Sequence, residues 1–339
     1  MQRAMIAPGA PIALTMGEPA GVAPEITLKA YAALKDQGAS FFVIGDPALY
    51  GEAAARISAP HEARAAFTRA LPVLPLDEKI DVEPGRPSAA NAKAVIASIE
   101  TAVRFALSGE AAAIVTNPIQ KSALLEAGFK FPGHTEFLGA LTAGAAMPAG
   151  MRTRGPVMMI AGPALRTVPV TIHQSVREAA ASLSTAMIVK TALVVIEALK
   201  NDFGVAAPRL AISGLNPHAG EQGAMGAEDR DIIAPAIAEL CRNSGAEITG
   251  PHPADTLFHA AARAKYDAAL CMLHDQALIP AKTLAFDEAV NVTLGLPVIR
   301  TSPDHGTALD IAGKNLANPA SLIEAIKLAA RMAAARAVR

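Results

Sequence analysis

Three histidines stand at or just past the ends of short apolar runs: His173 after Val168–Ile172, His218 in the loop that follows Leu210–Ser213, and His274 after Ala268–Leu273. Runs of this length and composition read as buried parallel strands, and open α/β sheets collect ligands outside the carboxyl ends of their strands. Three imidazoles from three such ends form a donor set for one divalent ion, with other coordination positions left to substrate. Any one of the three, taken alone, is more often a hydrogen-bonded structural residue.

Other residues offer compatible chemistry. Gly133-His134-Thr135 sets an imidazole beside a hydroxyl after a Pro-Gly turn, and Lys121 follows the apolar run that ends at Thr116, either near that turn or as a solvated helix residue. In Gly214-Leu215-Asn216-Pro217-His218-Ala219-Gly220 the proline and glycines shape the loop that presents His218. Asp275 adjoins His274, where it can orient an imidazole or cap a helix. Lys282, Asn291 and Arg300 lie among the last apolar runs and together could neutralise and hydrogen-bond a phosphate or carboxylate. The turn Gly17-Glu18-Pro19-Ala20-Gly21 could aim backbone N–H groups at an anion or serve only as a strand-to-helix loop.

These residues need a scaffold, and the chain has material for one. Of 339 residues, 52% are hydrophobic and 18% charged, without tryptophan, so an aliphatic core in two lobes is expected. Thirty Lys plus Arg against 31 Asp plus Glu gives no charge excess to attract nucleic acid or an anionic membrane. Two cysteines, Cys241 and Cys271, without a CxxC pattern, argue against a disulfide framework. The amino-terminal stretch lacks a signal-peptide core and the apolar stretch Thr191–Leu199 is too short to span a bilayer, so a cytoplasmic protein is expected.

Strand-like runs alternate with helical patterns, the signature of βαβ units: Pro11–Met16, Phe41–Ile44, Ala113–Thr116, Val157–Ala161, Val168–Ile172, Leu210–Ser213, Ala268–Leu273 and Val290–Leu294. Ser88 caps a helix running to Gly109, Ser175 and Glu178 form a capping box before a long helix to about Lys200, and Pro319–Ala337 closes the chain as a helix. The stretch 143–156, dense in Gly, Pro and small residues, is the best crossing between lobes, giving 1–142 with 306–339 as one lobe and 143–305 as the other, with the active site in the cleft between them. No GxGxxG fingerprint occurs.

Six motifs in order, Gly17–Gly21, Pro132–Phe137, Gly214–Glu221, Pro253–Phe258, His274–Gln276 and Asn291–Gly306, resemble those of the 4-hydroxythreonine-4-phosphate dehydrogenases of pyridoxal phosphate biosynthesis. The resemblance covers nearly the whole chain; Ala23 and Gln120 are modest departures from it. It implies an isocitrate/isopropylmalate dehydrogenase-like α/β/α fold in two lobes with mostly parallel sheets, and a homodimer whose site is completed across the interface. It implies His173, His218 and His274 as ligands of one divalent metal (Zn, Mg or Co), and His134, Thr135, Lys282, Asn291 and Arg300 as contacts to a small phosphorylated amino-acid substrate. Asp304–Lys314 with Ala317–Pro319 resembles the adenosine-binding loop of isopropylmalate dehydrogenases, implying NAD or NADP contacts from His305, Gly306, Thr307, Asp310 and Asn318 and explaining the missing fingerprint. The chemistry implied is metal-assisted oxidation at the substrate's C3, with Asp255 and Asp275 as candidate proton acceptors. The alternatives are the same chemistry on 4-phosphothreonate or an aromatic cis-diol, and a non-catalytic metal- or phosphate-binding relative.

Overall fold

The computed structural model describes residues 9–338. Along the chain the strands are β1 (Ile12–Thr15), β2 (Phe41–Gly45), β3 (Ala54–Arg56), β4 (Leu71–Pro75), β5 (Ile114–Val115), β6 (Val157–Ala161), β7 (Arg166–Pro169), β8 (Arg209–Ser213), β9 (Glu247–His252), β10 (Ala268–Cys271), β11 (Val290–Leu294) and β12 (Arg300–Pro303). They fall into two compact units, one formed by the chain up to Pro148 together with Leu296–Val338, the other by Ala149–Gly295. The fold is α/β with mostly parallel strands, as expected.

The first unit orders its strands β3-β4-β2-β1-β5-β12, all parallel. Its main covering helix, Ala92–Ser108, repeats buried residues at Val95, Ile99, Ala102, Val103 and Ala106, and this stripe packs on Ala13, Phe42, Ile44 and Ile114 of the strands. Each fully buried aliphatic side chain of this kind contributes about 1.5–3 kcal/mol. Ser88 Oγ accepts the Ala90 N–H in the short 3₁₀ turn before the helix, and Gly109, at φ 80°, ends it. Ser98, buried on the same face, accepts from the Met16 N–H at 2.9 Å and donates to the Ile44 carbonyl at 2.7 Å, which fixes the ends of β1 and β2.

Arg300 belongs to this unit. The expected boundary at 305/306 falls instead at 295/296, because Arg300 and Thr301 pair in parallel register with Ile114 and Val115 and the Thr301 hydroxyl bonds the Ala325 carbonyl of the last helix, Ala320–Ala337. At the other boundary the division comes at 148/149 rather than 142/143.

The second unit orders its strands β11-β6-β7-β10-β8-β9. β11, β6 and β7 pair antiparallel, whereas β7, β10, β8 and β9 run parallel. Arg209 and Asp267, at the starts of β8 and β10, are tied by an Nη2–Oδ1 pair of 3.0 Å and by the Arg209 N–H to Oδ2 at 2.8 Å. Burial raises the Asp267 carboxyl, but the Arg209 bonds outweigh it and hold the group below the usual carboxylate range.

Two expectations about elements change. The Ser175–Glu178 capping box forms, yet its helix is only Val176–Ser182; Leu183 is extended, Ser184 caps a second helix, Thr185–Asn201, and the two helices bend by 93°. β3, β4, β9 and β12 were not foreseen. Among the described residues no single helix is long and apolar enough to cross a membrane.

Candidate functional site

In the first unit, β1 and β5 end beside each other. Gly17, at φ 71°, turns the chain away from β1 where a Cβ would lie 2.5 Å from Asn117 Cβ, so a side chain is excluded there. The Asn117 amide bonds the Thr15 carbonyl at 3.1 Å and the Thr27 hydroxyl at 3.0 Å, locking the two strand ends together. The Gly17–Gly21 turn does not offer its N–H groups to an anion: those of Glu18, Ala20, Gly21 and Val22 bond the Pro118 carbonyl, the Glu18 carboxylate, the Glu18 carbonyl and the Thr307 carbonyl. Glu18 itself is 2% exposed, and burial raises its pKa against the lowering effect of the Ala20 N–H.

Next to these ends stands Arg300, 4% exposed. Thr116, the residue after β5, receives the guanidinium on one hydroxyl oxygen, from Nε at 3.0 Å and Nη2 at 2.6 Å. Burial pulls the Arg300 pKa down to about 10, which still leaves it charged at neutral pH. His134 opens the helix His134–Leu141, with half-buried Thr135 second in it. The imidazole Nε2 is buried without a hydrogen-bond partner, and burial, then the charges of Arg300 and Lys121, hold its pKa well below the ordinary histidine value. Lys121 begins the helix Lys121–Glu126, and its Nζ would be 3.5 Å from a Cβ at Gly133. A neutral imidazole near two cations can accept or donate a hydrogen bond, a combination of groups whose chemistry suits an anion.

The loop 304–318 also lies in this unit, fastened at several points. The Asp304 N–H bonds Ser321, the Thr307 hydroxyl bonds Gln120 at 2.9 Å, the Ala317 N–H bonds Glu25 at 2.7 Å, and Lys29 donates to the carbonyls of Asn315 and Ala317. Between the fastenings His305, Gly306, Asp310 and Asn318 are exposed while Thr307 is buried, so this set divides into anchors and outward-facing groups.

In the second unit the parallel pairing of β7 and β10 continues past the strands. Val170 N–H bonds the Cys271 carbonyl and Thr171 bonds the Met272 carbonyl through N–H and hydroxyl, so the two chains run side by side to His173 and His274. Their ring centres are 6.2 Å apart at a tilt of 41°. An imidazole's ring centre sits roughly 3.2 Å from an ion it binds, so two tetrahedral ligands of one ion have centres about 5.2 Å apart. At 6.2 Å the two rings are neighbours, set wider than a closed tetrahedral pair. Asp275, exposed, takes the His274 Nδ1 at 2.8 Å, the orienting contact expected of it.

His218 follows β8, the strand beside β10, but the structure does not close a triad. Among the described residues no group of three or more His, Cys, Asp or Glu stands ready to hold a metal. His218 instead lies exposed in a turn in which His218, Ala219, Gly220, Glu221 and Gln222 all have left-handed backbone, φ 42–76°. Four of these are not glycine, and each costs about 1–2 kcal/mol there. Such strain collects at functional segments. Asp229, missed in the sequence, is buried and accepts the N–H groups of Leu215 and Asn216, just before this turn; nothing in residue type or spacing marks it.

Of the remaining expected residues, Asp255 is exposed in the short helix Ala254–Leu257. Lys282 is half-buried in the helix His274–Ala285, its Nζ 5.9 Å from the Phe286 ring centre, and Asn291 on β11 has a buried Oδ1 without a hydrogen-bond partner. Lys282 and Asn291 thus belong to the second unit and Arg300 to the first. Thr116 was read only as the end of an apolar run; the signal overlooked was a hydroxyl at the end of the strand that pairs with Arg300. Burial raises the Cys271 thiol to about 12, consistent with an inert core residue.

Comparison with known proteins gives the chain a family. A family model described as "Pyridoxal phosphate biosynthetic protein PdxA" matches residues 37–329. A 4-hydroxythreonine-4-phosphate dehydrogenase of Bradyrhizobium diazoefficiens is 54% identical, over 96% of this chain and 98% of its own length. The crystal structure of a 4-hydroxythreonine-4-phosphate dehydrogenase from Klebsiella pneumoniae superposes with TM-score 0.82 at 36% identity, covering 96% of this chain and 99% of that one. A terephthalate 1,2-cis-dihydrodiol dehydrogenase from Burkholderia xenovorans shares the fold less closely, with TM-score 0.64 and 29% identity over 94% of this chain and 97% of that one. The chain therefore belongs to the pyridoxal phosphate biosynthetic PdxA family, an enzyme family whose named members are dehydrogenases.

Proposed function

We propose that this enzyme oxidises 4-phosphohydroxy-L-threonine at C3, giving 2-amino-3-oxo-4-phosphooxybutanoate, a β-keto acid that loses carbon dioxide to leave 3-amino-2-oxopropyl phosphate. The observation that carries this reading is the buried guanidinium of Arg300 beside the neutral, unpartnered His134 Nε2. A phosphate would meet there a fixed charge and a hydrogen-bonding imidazole, with Lys121 and Thr135 adjoining; Lys282 and Asn291 are the further substrate contacts that the family resemblance implies.

His173, His218 and His274 would hold a divalent ion, whose chemistry when bound is to polarise the substrate hydroxyl while a nicotinamide accepts hydride. The donor set fits such an ion in kind, and His173 and His274 stand as neighbours. The reading includes a homodimer that completes the site across its interface, as the family resemblance implies. Asp275 contacts His274 Nδ1, and Asp255 and Asp275 are both candidates for the substrate proton. The loop 304–318 would take the adenosine end of NAD or NADP, with Asp310 outward-facing for ribose hydroxyls.

The same chemistry on another substrate is the rival, favoured by the shared fold of the cis-diol enzyme, although the likeness to phosphate-ester enzymes is closer. Reduction of NAD and NADP, with added Zn, Mg or Co, by 4-phosphohydroxy-L-threonine and by 4-phosphothreonate side by side tests the proposal. Turnover confined to phosphothreonate, or absent with both, would overturn it.

A further inference from the structure

We infer that Asp229 is the positioning residue for His218, the buried post around which the left-handed turn is wound. Asp229 is 2% exposed and lies beyond the turn in sequence. Its Oδ1 accepts the Leu215 N–H at 2.9 Å, and its Oδ2 accepts the Asn216 N–H at 3.1 Å and the Asn216 Nδ2 at 2.9 Å. Glu228 adds a second acceptor for Asn216 Nδ2, also at 2.9 Å. The turn also packs closely on the carboxylate: a Cβ at Gly220, beyond His218, would lie 3.1 Å from Oδ2, and one at Gly214, before it, only 2.6 Å from Oδ1. The backbone entering the turn is thus bonded to one carboxylate, against which Gly220 packs on the far side of His218.

A run of L-residues at positive φ does not persist on its own, since each prefers the right-handed region. The bonds to Asp229 fix the backbone that enters the turn, with His218 exposed two residues on. A carboxylate suits the task because it presents only acceptors to three donors. An amide at the same place would aim an NH₂ group at backbone N–H, losing at least one bond and adding a repulsion.

The assignment rests on the reading of His218 as a metal ligand, and the test separates the two. Purified protein freed of metal, as wild type, Asp229→Asn and His218→Ala, is followed by backbone hydrogen exchange over 214–223 and by titration with Co²⁺, reading both affinity and the visible ligand-field spectrum. Asp229→Asn is expected to speed exchange in that segment at least tenfold, to weaken Co²⁺ at least tenfold, and to move the spectrum toward that of His218→Ala. Wild-type exchange, or wild-type cobalt binding in Asp229→Asn while His218→Ala loses it, would overturn the positioning role. Wild-type cobalt binding by His218→Ala would remove the ligand reading and the assignment with it. Should Asp229→Asn not fold, Asn216→Ala, which deletes only the side-chain bonds to Glu228 and Asp229, must shift both readouts in the same direction by less; no shift overturns the inference.

Discussion

Replacing Thr116 with Val keeps a β-branched side chain of nearly the same shape in a fully buried position and removes the one oxygen that receives Arg300 Nε and Nη2, at 3.0 and 2.6 Å. A hydrogen bond to a charged group is worth about 1.5–3 kcal/mol. Because both donors share a single acceptor, we count one such bond, about 2 kcal/mol, and not two. The guanidinium is already poorly solvated, its pKa drawn down to about 10 by burial, so water in place restores little of the lost bond and its aim loosens. If Arg300 binds substrate phosphate, the loosened aim costs up to about 2 kcal/mol of substrate affinity, roughly a 30-fold rise in KM, with kcat falling much less. Inorganic phosphate as a competitive inhibitor should weaken similarly. Thr116→Ser, which restores the oxygen, should return KM to within a few-fold of wild type. Steady-state kinetics on the three proteins, with Arg300→Ala as reference, decides the matter. If Arg300→Ala raises KM and Thr116→Val does not, the hydroxyl does not aim the guanidinium; equal loss of kcat and kcat/KM in Thr116→Val would point to damage elsewhere.

His134 supplies a pH signature. Its folded pKa lies well below the unfolded value near 6.5, so below that pH the unfolded chain binds the extra proton and stability falls with falling pH, by at most about 1.4 kcal/mol per unit. Urea unfolding of His134→Asn between pH 6.5 and 5 should therefore show a shallower decline than wild type, and parallel curves would refute the buried neutral imidazole. Asp310, exposed on the turn Leu309–Ile311, should favour NAD by repelling a 2′-phosphate. Asp310→Ala should narrow the NAD-to-NADP ratio of kcat/KM by several-fold, and an unchanged ratio would remove Asp310 from the cofactor site.

The parallel α/β core was legible because its strands are continuous aliphatic runs: Phe41–Gly45, Val157–Ala161 and Val290–Leu294 match their apolar segments within a residue. β12 was hidden because Arg300, Thr301, Ser302 and Pro303 carry no apolar periodicity; they pair as a strand through tertiary register with β5. Leu183 looked like one more helical leucine, and only Ser184 hinted at the break. In the candidate site, the apolar runs before His173 and His274 foretold that both follow strands, and the structure pairs those two strands. The left-handed turn at His218 escaped notice because Ala219, Glu221 and Gln222 disfavour that conformation, and the partner that sustains it, Asp229, is distant in sequence.

The first unit is discontinuous, and this orders events on the ribosome. Ala149–Gly295 is one unbroken stretch that can close as it emerges, whereas the preceding unit waits for Leu296–Val338 to bring β12 and the helix Ala320–Ala337, which packs on β12, β5 and β1. Arg300 and the loop fastened to Glu25 and Lys29 arrive with that segment. A nascent chain halted near Gly295 would thus carry the whole of the second unit, with His173, His218 and His274, but not Arg300.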